Sequence, residues 1–465
     1  MKPRKKILFL TNRLPFPPDK GDKIRTYHQL TQLADSHDVW CACFADTPED
    51  VARADELQRR CRSAIVVPWN RISAIPRTAS GWLSGRPFTE AAFTHPFLAK
   101  RLGALGRRIQ FDSVVAFSSM MARQALAVPA RRHVLDLCDV DSEKWFDYAR
   151  ASRFPLSSLC HQEGRRLRAW EHACLNRFDA TLVITERERA LLDPSARRET
   201  LHVIPNGVTL NDDQALLASQ CGPVIGFLGV MDYRPNVEGV RWFVRHAWPK
   251  VLRECPNARM LIVGRRPVRG IRQLAKLPGV EVTGEVRDVR PYLTRCRVIV
   301  VPLHIARGLQ NKVLEAMAAR RPVVATSAVA AGLHPGQRRP VLTADDPSRF
   351  AMKVVDLCRF DGLCQQVADA GHRFVATHYN WSEAMQLYDR RVLGVPIEEL
   401  SDGMHRFSTG DGMPRRSAGM VCKVMPKYPP RRAEIVGESD IKPLHATQIS
   451  NSKPDITSVQ AQHDR

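Results

Sequence analysis

No stretch of this 465-residue sequence reaches the roughly 18 consecutive apolar residues that a membrane-spanning helix requires. No transmembrane helix is therefore expected. The 12 cysteines are scattered without paired C-x-x-C spacing, so neither a zinc site nor a dithiol redox couple is expected, and no metal is assigned. Cys41-Ala-Cys43 sits in an apolar run where small buried thiols are the default. Acidic residues are in short supply: 48 Asp and Glu face 70 Lys and Arg, a formal charge of +22. Such an excess suits nucleic acid, an anionic membrane surface or a phosphorylated substrate, and solvated arginine also accounts for part of it. There is no helix-turn-helix, zinc-finger or RNP pattern, which argues against nucleic acid as a partner. An anionic membrane surface fits better, since each basic residue near anionic lipid contributes about 1 kcal/mol. The basic start Met1-Lys-Pro-Arg-Lys-Lys6 is followed only by Ile7-Leu-Phe-Leu10, too short for the apolar core of a signal peptide. The expected location is the cytoplasm, or the inner face of the cytoplasmic membrane.

What is present is βα alternation on a scale of two or three domains. Apolar runs that read as strands are Lys6–Thr11, Val39–Phe44, Ala64–Val67, Ser113–Phe117, His133–Leu137 and Ala180–Ile184. They recur at Val224–Leu228, Arg259–Val263, Val280–Val282, Val298–Val301 and Pro322–Ala325. Stretches of helical period, such as Lys23–Ala34 and Glu163–Arg177, lie between them. The pattern predicts an α/β protein of two Rossmann-like, doubly wound domains. Ile204-Pro-Asn-Gly-Val208 carries turn chemistry and marks the hinge. The expected organisation is a first domain over 1–200, a second over 201–380, a crossing helix over 381–394, and a disordered tail over 395–465, where periodicity dissolves.

The most informative segment is residues 306–326, in which a polar turn containing Gly308 leads into a short helix and a buried strand. Gly308 permits close backbone approach to a ligand, and the helix start offers free N–H groups to an anion. Glu315 is the one carboxylate on that helix, flanked by Leu314, Ala316 and Met317. On its own the segment reads more readily as an amphipathic core helix with Glu315 exposed or capped.

Five fragments in order carry a resemblance: Pro15–Arg25, Asp136–Trp145, Gly229–Asn236, Val286–Tyr292 and 306–326. Over about the first 394 residues the chain resembles the retaining GT-B glycosyltransferases of family 4. Within them it resembles the sugar transferases associated with exosortase and PEP-CTERM exopolysaccharide loci. The resemblance implies two facing Rossmann-like domains, a nucleotide-sugar donor, a lipid-linked or polysaccharide acceptor, and retention at the anomeric carbon. It implies that Glu315 holds the donor ribose, where two vicinal hydroxyls suit a carboxylate. The family often carries a second, sugar-contacting glutamate eight positions earlier; here that position is Arg307.

Ligands of such folds lie at the C-terminal ends of the strands, which directs attention to Gly308 and Lys312 for the diphosphate. Arg234, the nearest base after the first strand of the second domain, is the first candidate for the phosphate, with Lys312 and Arg265 behind it. Fixed cations and N–H groups can stabilise a departing diphosphate without a cofactor or metal. Asp139 and Asp141 read either as groups that orient or deprotonate the acceptor hydroxyl or as an N-cap. In the loop Pro17–Arg25, Gly21 permits close approach while Lys20, Lys23 and Arg25 supply charge; a plain helix start capped by Asp22 is the competing account. The principal reading is glycosyl transfer. A nucleotide-sugar epimerase of the same architecture is the second, and a basic, non-enzymatic adaptor for nucleic acid or membrane is the third.

Overall fold

The computed structural model describes residues 3–19, 21–195, 197–210, 218–334, 339–395 and 434–435. The first sheet is built from β1 (Lys6–Thr11), β2 (Asp38–Ala45), β3 (Ser63–Pro68), β4 (Phe111–Phe117), β5 (Ala130–Cys138), β6 (Ala180–Val183) and β7 (Leu201–Val203). The second contains β8 (Val224–Leu228), β9 (Arg259–Val263), β10 (Val280–Gly284), β11 (Val298–Val301), β12 (Val323–Ala325) and β13 (Val341–Thr343). The two-residue strand β14 (Glu434–Ile435) pairs in parallel with the free edge of β3. Every ladder between described strands is parallel.

Strand order is β14-β3-β2-β1-β4-β5-β6-β7 in the first sheet and β10-β9-β8-β11-β12-β13 in the second. Both therefore contain the doubly wound order in which the chain reverses direction across the sheet after its third strand. The reversal places crevices between β1 and β4 and between β8 and β11, where loops diverge and a ligand can enter. The strands are apolar on both faces because helices cover both sides: Val298, Ile299, Val300 and Val301 are all fully buried. Burial of each such side chain favours folding by about 1.5–3 kcal/mol.

One difference from the sequence reading concerns the domain boundary. β7 joins the first sheet although it lies within the span 201–380 expected for the second domain; the second sheet starts only at Val224. At the other end the helix Trp381–Leu393 returns to the first domain, where Trp381, Met385, Tyr388 and Val392 enter its core. At the crossing, a Cβ on Gly207 would lie 2.4 Å from the backbone nitrogen of Trp381, so only glycine fits. The expected tail over 395–465 lies outside the described residues apart from Val395 and β14. No described helix is long and apolar enough to cross a membrane.

Candidate active site in the interdomain cleft

The turn after β11 and the helix Asn311–Ala318 occupy the β8/β11 crevice of the second sheet. Glu315 is half-buried there, and its carboxylate makes no hydrogen bond or ion pair with any described residue. Burial pushes its pKa up to about 7, against the pull of Lys312. One turn earlier, Lys312 donates to Asn236 Oδ1 at 2.6 Å and lies 4.6 Å from the centre of the Phe227 ring. Burial brings Lys312 down to about 7, opposed by Glu315. A Cβ on Gly229, at the end of β8, would sit 3.1 Å from Lys312 Nζ, so the ammonium reaches the mouth of the switch point. A carboxylate without a partner among the described residues, beside a lysine whose pKa burial lowers, fits a ligand bearing hydroxyls and negative charge.

Gly308 has φ +58°, and a Cβ there would fall 1.9 Å from Asp139 Oδ1 in the first domain. Glycine is thus required twice, by the backbone angle and by the facing carboxylate. Asp139 Oδ1 is buried without a hydrogen-bond partner, while Oδ2 lies 3.1 Å from Lys144 Nζ. Lys144 also donates to Asp141 Oδ1 at 2.8 Å. Burial alone would lower the Lys144 pKa, but Asp141 and Asp139 together hold it well above the ordinary value. The helix Asp141–Arg150 has Val140 at its N-cap and no side-chain cap bond, which overturns the capping account of Asp139 and Asp141. Its start is anchored instead by Ser142, whose N–H and Oγ both donate to Glu171. Burial raises Glu171 to about 8.

Glu188 joins the two domains. Its carboxylate accepts from Val140 N–H at 2.6 Å and from Gly308 N–H at 3.3 Å. Burial first, and Asp139 second, raise it to about 7. Sequence reading passed over this residue because Thr185-Glu-Arg-Glu188 has the form of a capping box. Thr185 does cap Glu188 N–H, but the Glu188 carboxylate is turned across the cleft. Arg307, at the position of the family's glutamate, makes a bidentate pair with Asp147 at 2.6 and 2.9 Å and approaches Glu143 at 3.5 Å. It thereby clamps the turn after β11 onto the helix Asp141–Arg150.

The remaining candidates are distributed differently. Arg265 crosses the cleft to Asp19, with Nη1 2.5 Å from Oδ2. Gly21 starts the helix Gly21–Ser36, and a Cβ on it would lie 3.3 Å from Asn311 Nδ2, so the loop does abut the donor-side helix. Lys20 lies outside the described residues. The charge expected from Lys23 and Arg25 is already used internally: buried Lys23 pairs with Asp50 at 2.8 Å and fully buried Arg25 with Asp136 at 2.8 Å. Asp22 is inside the first helical turn and paired with Arg13, so it is not the cap. Arg234 is not grouped with Lys312; it bonds Glu238 at 2.7 Å and the Ala151 carbonyl at 3.1 Å, on an exposed rim of the cleft. Among the described residues no group of three or more His, Cys, Asp or Glu has a metal-binding arrangement.

Two doubly wound parallel sheets facing across such a cleft define the architecture. The fold is GT-B. Residues 222–359 match the family model of glycosyl transferases group 1. The Anabaena HepE structure in complex with UDP-glucose superposes with a TM-score of 0.58 at 16% identity, covering 83% of this chain and 99% of that one. A glycosyltransferase from Rickettsia africae gives 0.56 at 12% identity, covering 84% and 98%. WaaG, a glycosyltransferase involved in lipopolysaccharide biosynthesis, gives 0.56 at 16% identity, covering 83% and all of that chain. No curated protein sequence matches this chain.

Proposed function

We propose that the protein is a retaining glycosyltransferase that moves a sugar from a nucleotide-sugar donor to a lipid-linked or polysaccharide acceptor in exopolysaccharide biosynthesis. The observation that carries this reading is the unpartnered Glu315 carboxylate beside Lys312 in the β8/β11 crevice. Glu315 accepts the two ribose hydroxyls, a task for which a charged double acceptor is suited. Lys312 and the N–H groups at the start of the helix Asn311–Ala318 meet the diphosphate, whose charge grows as the glycosidic bond breaks. That stabilisation needs no metal. Asp139 and Asp141, held by Lys144 opposite Gly308, orient the acceptor hydroxyl from the first domain. Arg265, Arg307 and Glu188 hold the domains together around the reactants.

The match of residues 222–359 to glycosyl transferases group 1 supports transfer as the reaction, and the HepE complex makes a uridine diphosphate sugar the first donor to try. The test is saturation binding of a panel of nucleoside diphosphates. One of them should bind the wild type and lose affinity in Glu315→Gln and Lys312→Met. Equal affinity in all three proteins would remove both residues from the site and the reading with them.

A further inference from the structure

The surface of the first domain beside the cleft mouth combines exposed apolar side chains with a one-signed charge. On the helix Arg71–Leu83, Ile72 is 80% exposed and Leu83 82%; in the turn before the helix Leu156–Leu175, Phe154 is 82% exposed. Ile75, Leu156 and Leu159 are also exposed. The two helices share an apolar groove lined by Trp69, Ile75, Trp82, Phe88 and Leu159. Arg166 fastens them together, donating to the Trp82 carbonyl at 2.8 Å and stacking over its ring.

Across 71–86 and 150–170 there are eight arginines and one acid, Glu163; Arg86, Arg150 and Arg168 pair with Glu90, Asp147 and Glu143 outside those spans. Glu163 is fully buried, and its carboxylate accepts from the backbone N–H groups of Phe88 and Thr89, so it adds no acidic group to the surface. Arg71, Arg153 and Arg165 are exposed and form no ion pair among the described residues. Scattered exposed apolar residues are ordinary, but large ones gathered on two adjoining helices beside three exposed arginines that form no ion pair among the described residues are not. Aliphatic and aromatic side chains that enter the acyl boundary while arginines meet phosphate headgroups form the pattern of an interfacial membrane contact.

We infer that this face, centred on Ile72, Ile75, Leu83, Phe154, Leu156 and Leu159, docks on an anionic lipid bilayer. Its charge complementarity selects the lipid surface over a second copy of this equally basic chain. The patch adjoins the cleft: Ala151, three residues before Phe154, accepts the bond from Arg234, and Asp147 holds Arg307. A docked molecule therefore keeps its cleft mouth near the headgroups. That this placement serves a lipid-linked acceptor rests on the glycosyl-transfer reading; the docking itself does not.

The full chain would be floated with vesicles of phosphatidylglycerol mixed with phosphatidylcholine, and with vesicles of phosphatidylcholine alone. Binding is expected only to the anionic vesicles, and it should weaken as salt is raised. Substituting Phe154→Asp with Leu156→Asp should lower partitioning at least about tenfold. Exchanging Arg71, Arg153 and Arg165 for Gln should lower it about a hundredfold, at roughly fivefold for each charge. All substituted positions are exposed, so circular dichroism and melting temperature should be unchanged. Equal binding to both vesicle types, or undiminished binding by both variants, would overturn the inference. A wild-type dimer that the Asp variant dissociates, without vesicle binding, would assign the face to a second copy and equally overturn it. Nucleoside diphosphate affinity, measured in parallel, should be the same in wild type and variants; its absence throughout would sink the glycosyl-transfer reading and leave the docking result standing.

Discussion

Glu315→Gln is expected to separate binding from stability. The carboxylate has no hydrogen-bond or ion-pair partner among the described residues, so removing its charge breaks no bond there. Its pKa is about 7 against an ordinary value of 4.5, because burial disfavours the ionised form. A carboxyl raised in the fold binds its proton more tightly there than in the unfolded chain. Stability from this group is therefore fully present below about pH 4.5 and is lost as pH rises through about 7. At about pH 8 the ionised Glu315 costs the fold up to about 3 kcal/mol, the opposing pull of Lys312 included. Glu315→Gln should accordingly raise the melting temperature at about pH 8 and leave it nearly unchanged at about pH 5. The same change removes the charge-assisted acceptor proposed for the ribose, worth about 1.5–3 kcal/mol, so donor affinity should fall by roughly 10- to 150-fold. Differential scanning fluorimetry at the two pH values and calorimetric titration of the nucleoside diphosphate check both halves. A Gln variant that binds donor like wild type, or that melts lower at about pH 8, would refute the reasoning.

Other expected outcomes follow from the same geometry. Lys312→Met should reduce the gain in affinity of a nucleoside diphosphate over its nucleoside, since the role proposed for the lysine is at the phosphates; parallel titrations of the two ligands measure it. Arg307→Ala and Asp147→Asn should each weaken donor binding, and a double-mutant cycle should show about 1–3 kcal/mol of coupling, because one bidentate contact across the cleft is lost in either. Arg234→Ala should change turnover little compared with Lys312→Met in initial-rate assays, since its exposed guanidinium is occupied by Glu238 and Ala151. Turnover should survive EDTA if, as proposed, lysine and helix N–H groups carry the diphosphate; complete loss restored by magnesium or manganese would move attention to Asp139 and Asp141 as ligands.

What the sequence reveals is set by how local each signal is. β1, β8, β9 and β11 coincide with the expected apolar runs because a strand buried on both faces needs no partner to be recognised. The crossing helix Trp381–Leu393 also falls where its period places it. β7 and β13 escape notice since three residues show no periodicity, and β7 moves the domain boundary with it. In the site, Gly308, Lys312 and Glu315 share one turn and one helix, so a single segment exhibits all three. The Glu188–Gly308 bond and the Arg307–Asp147 clamp depend on residues over a hundred positions apart meeting across the cleft. Nothing in a linear pattern encodes that meeting. The same blindness misplaced Lys23 and Arg25, whose charges look available in sequence and are consumed by Asp50 and Asp136 in the fold.

The central claim, sugar transfer from a nucleotide donor, is tested most directly by offering the wild type a panel of radiolabelled nucleotide sugars with and without a lipid-linked acceptor extract. One donor should yield labelled lipid or polysaccharide and free nucleoside diphosphate, with retained anomeric configuration, and only when acceptor is present. Conversion of a donor into a different nucleotide sugar without acceptor, or no reaction with any donor that binds, would contradict the account.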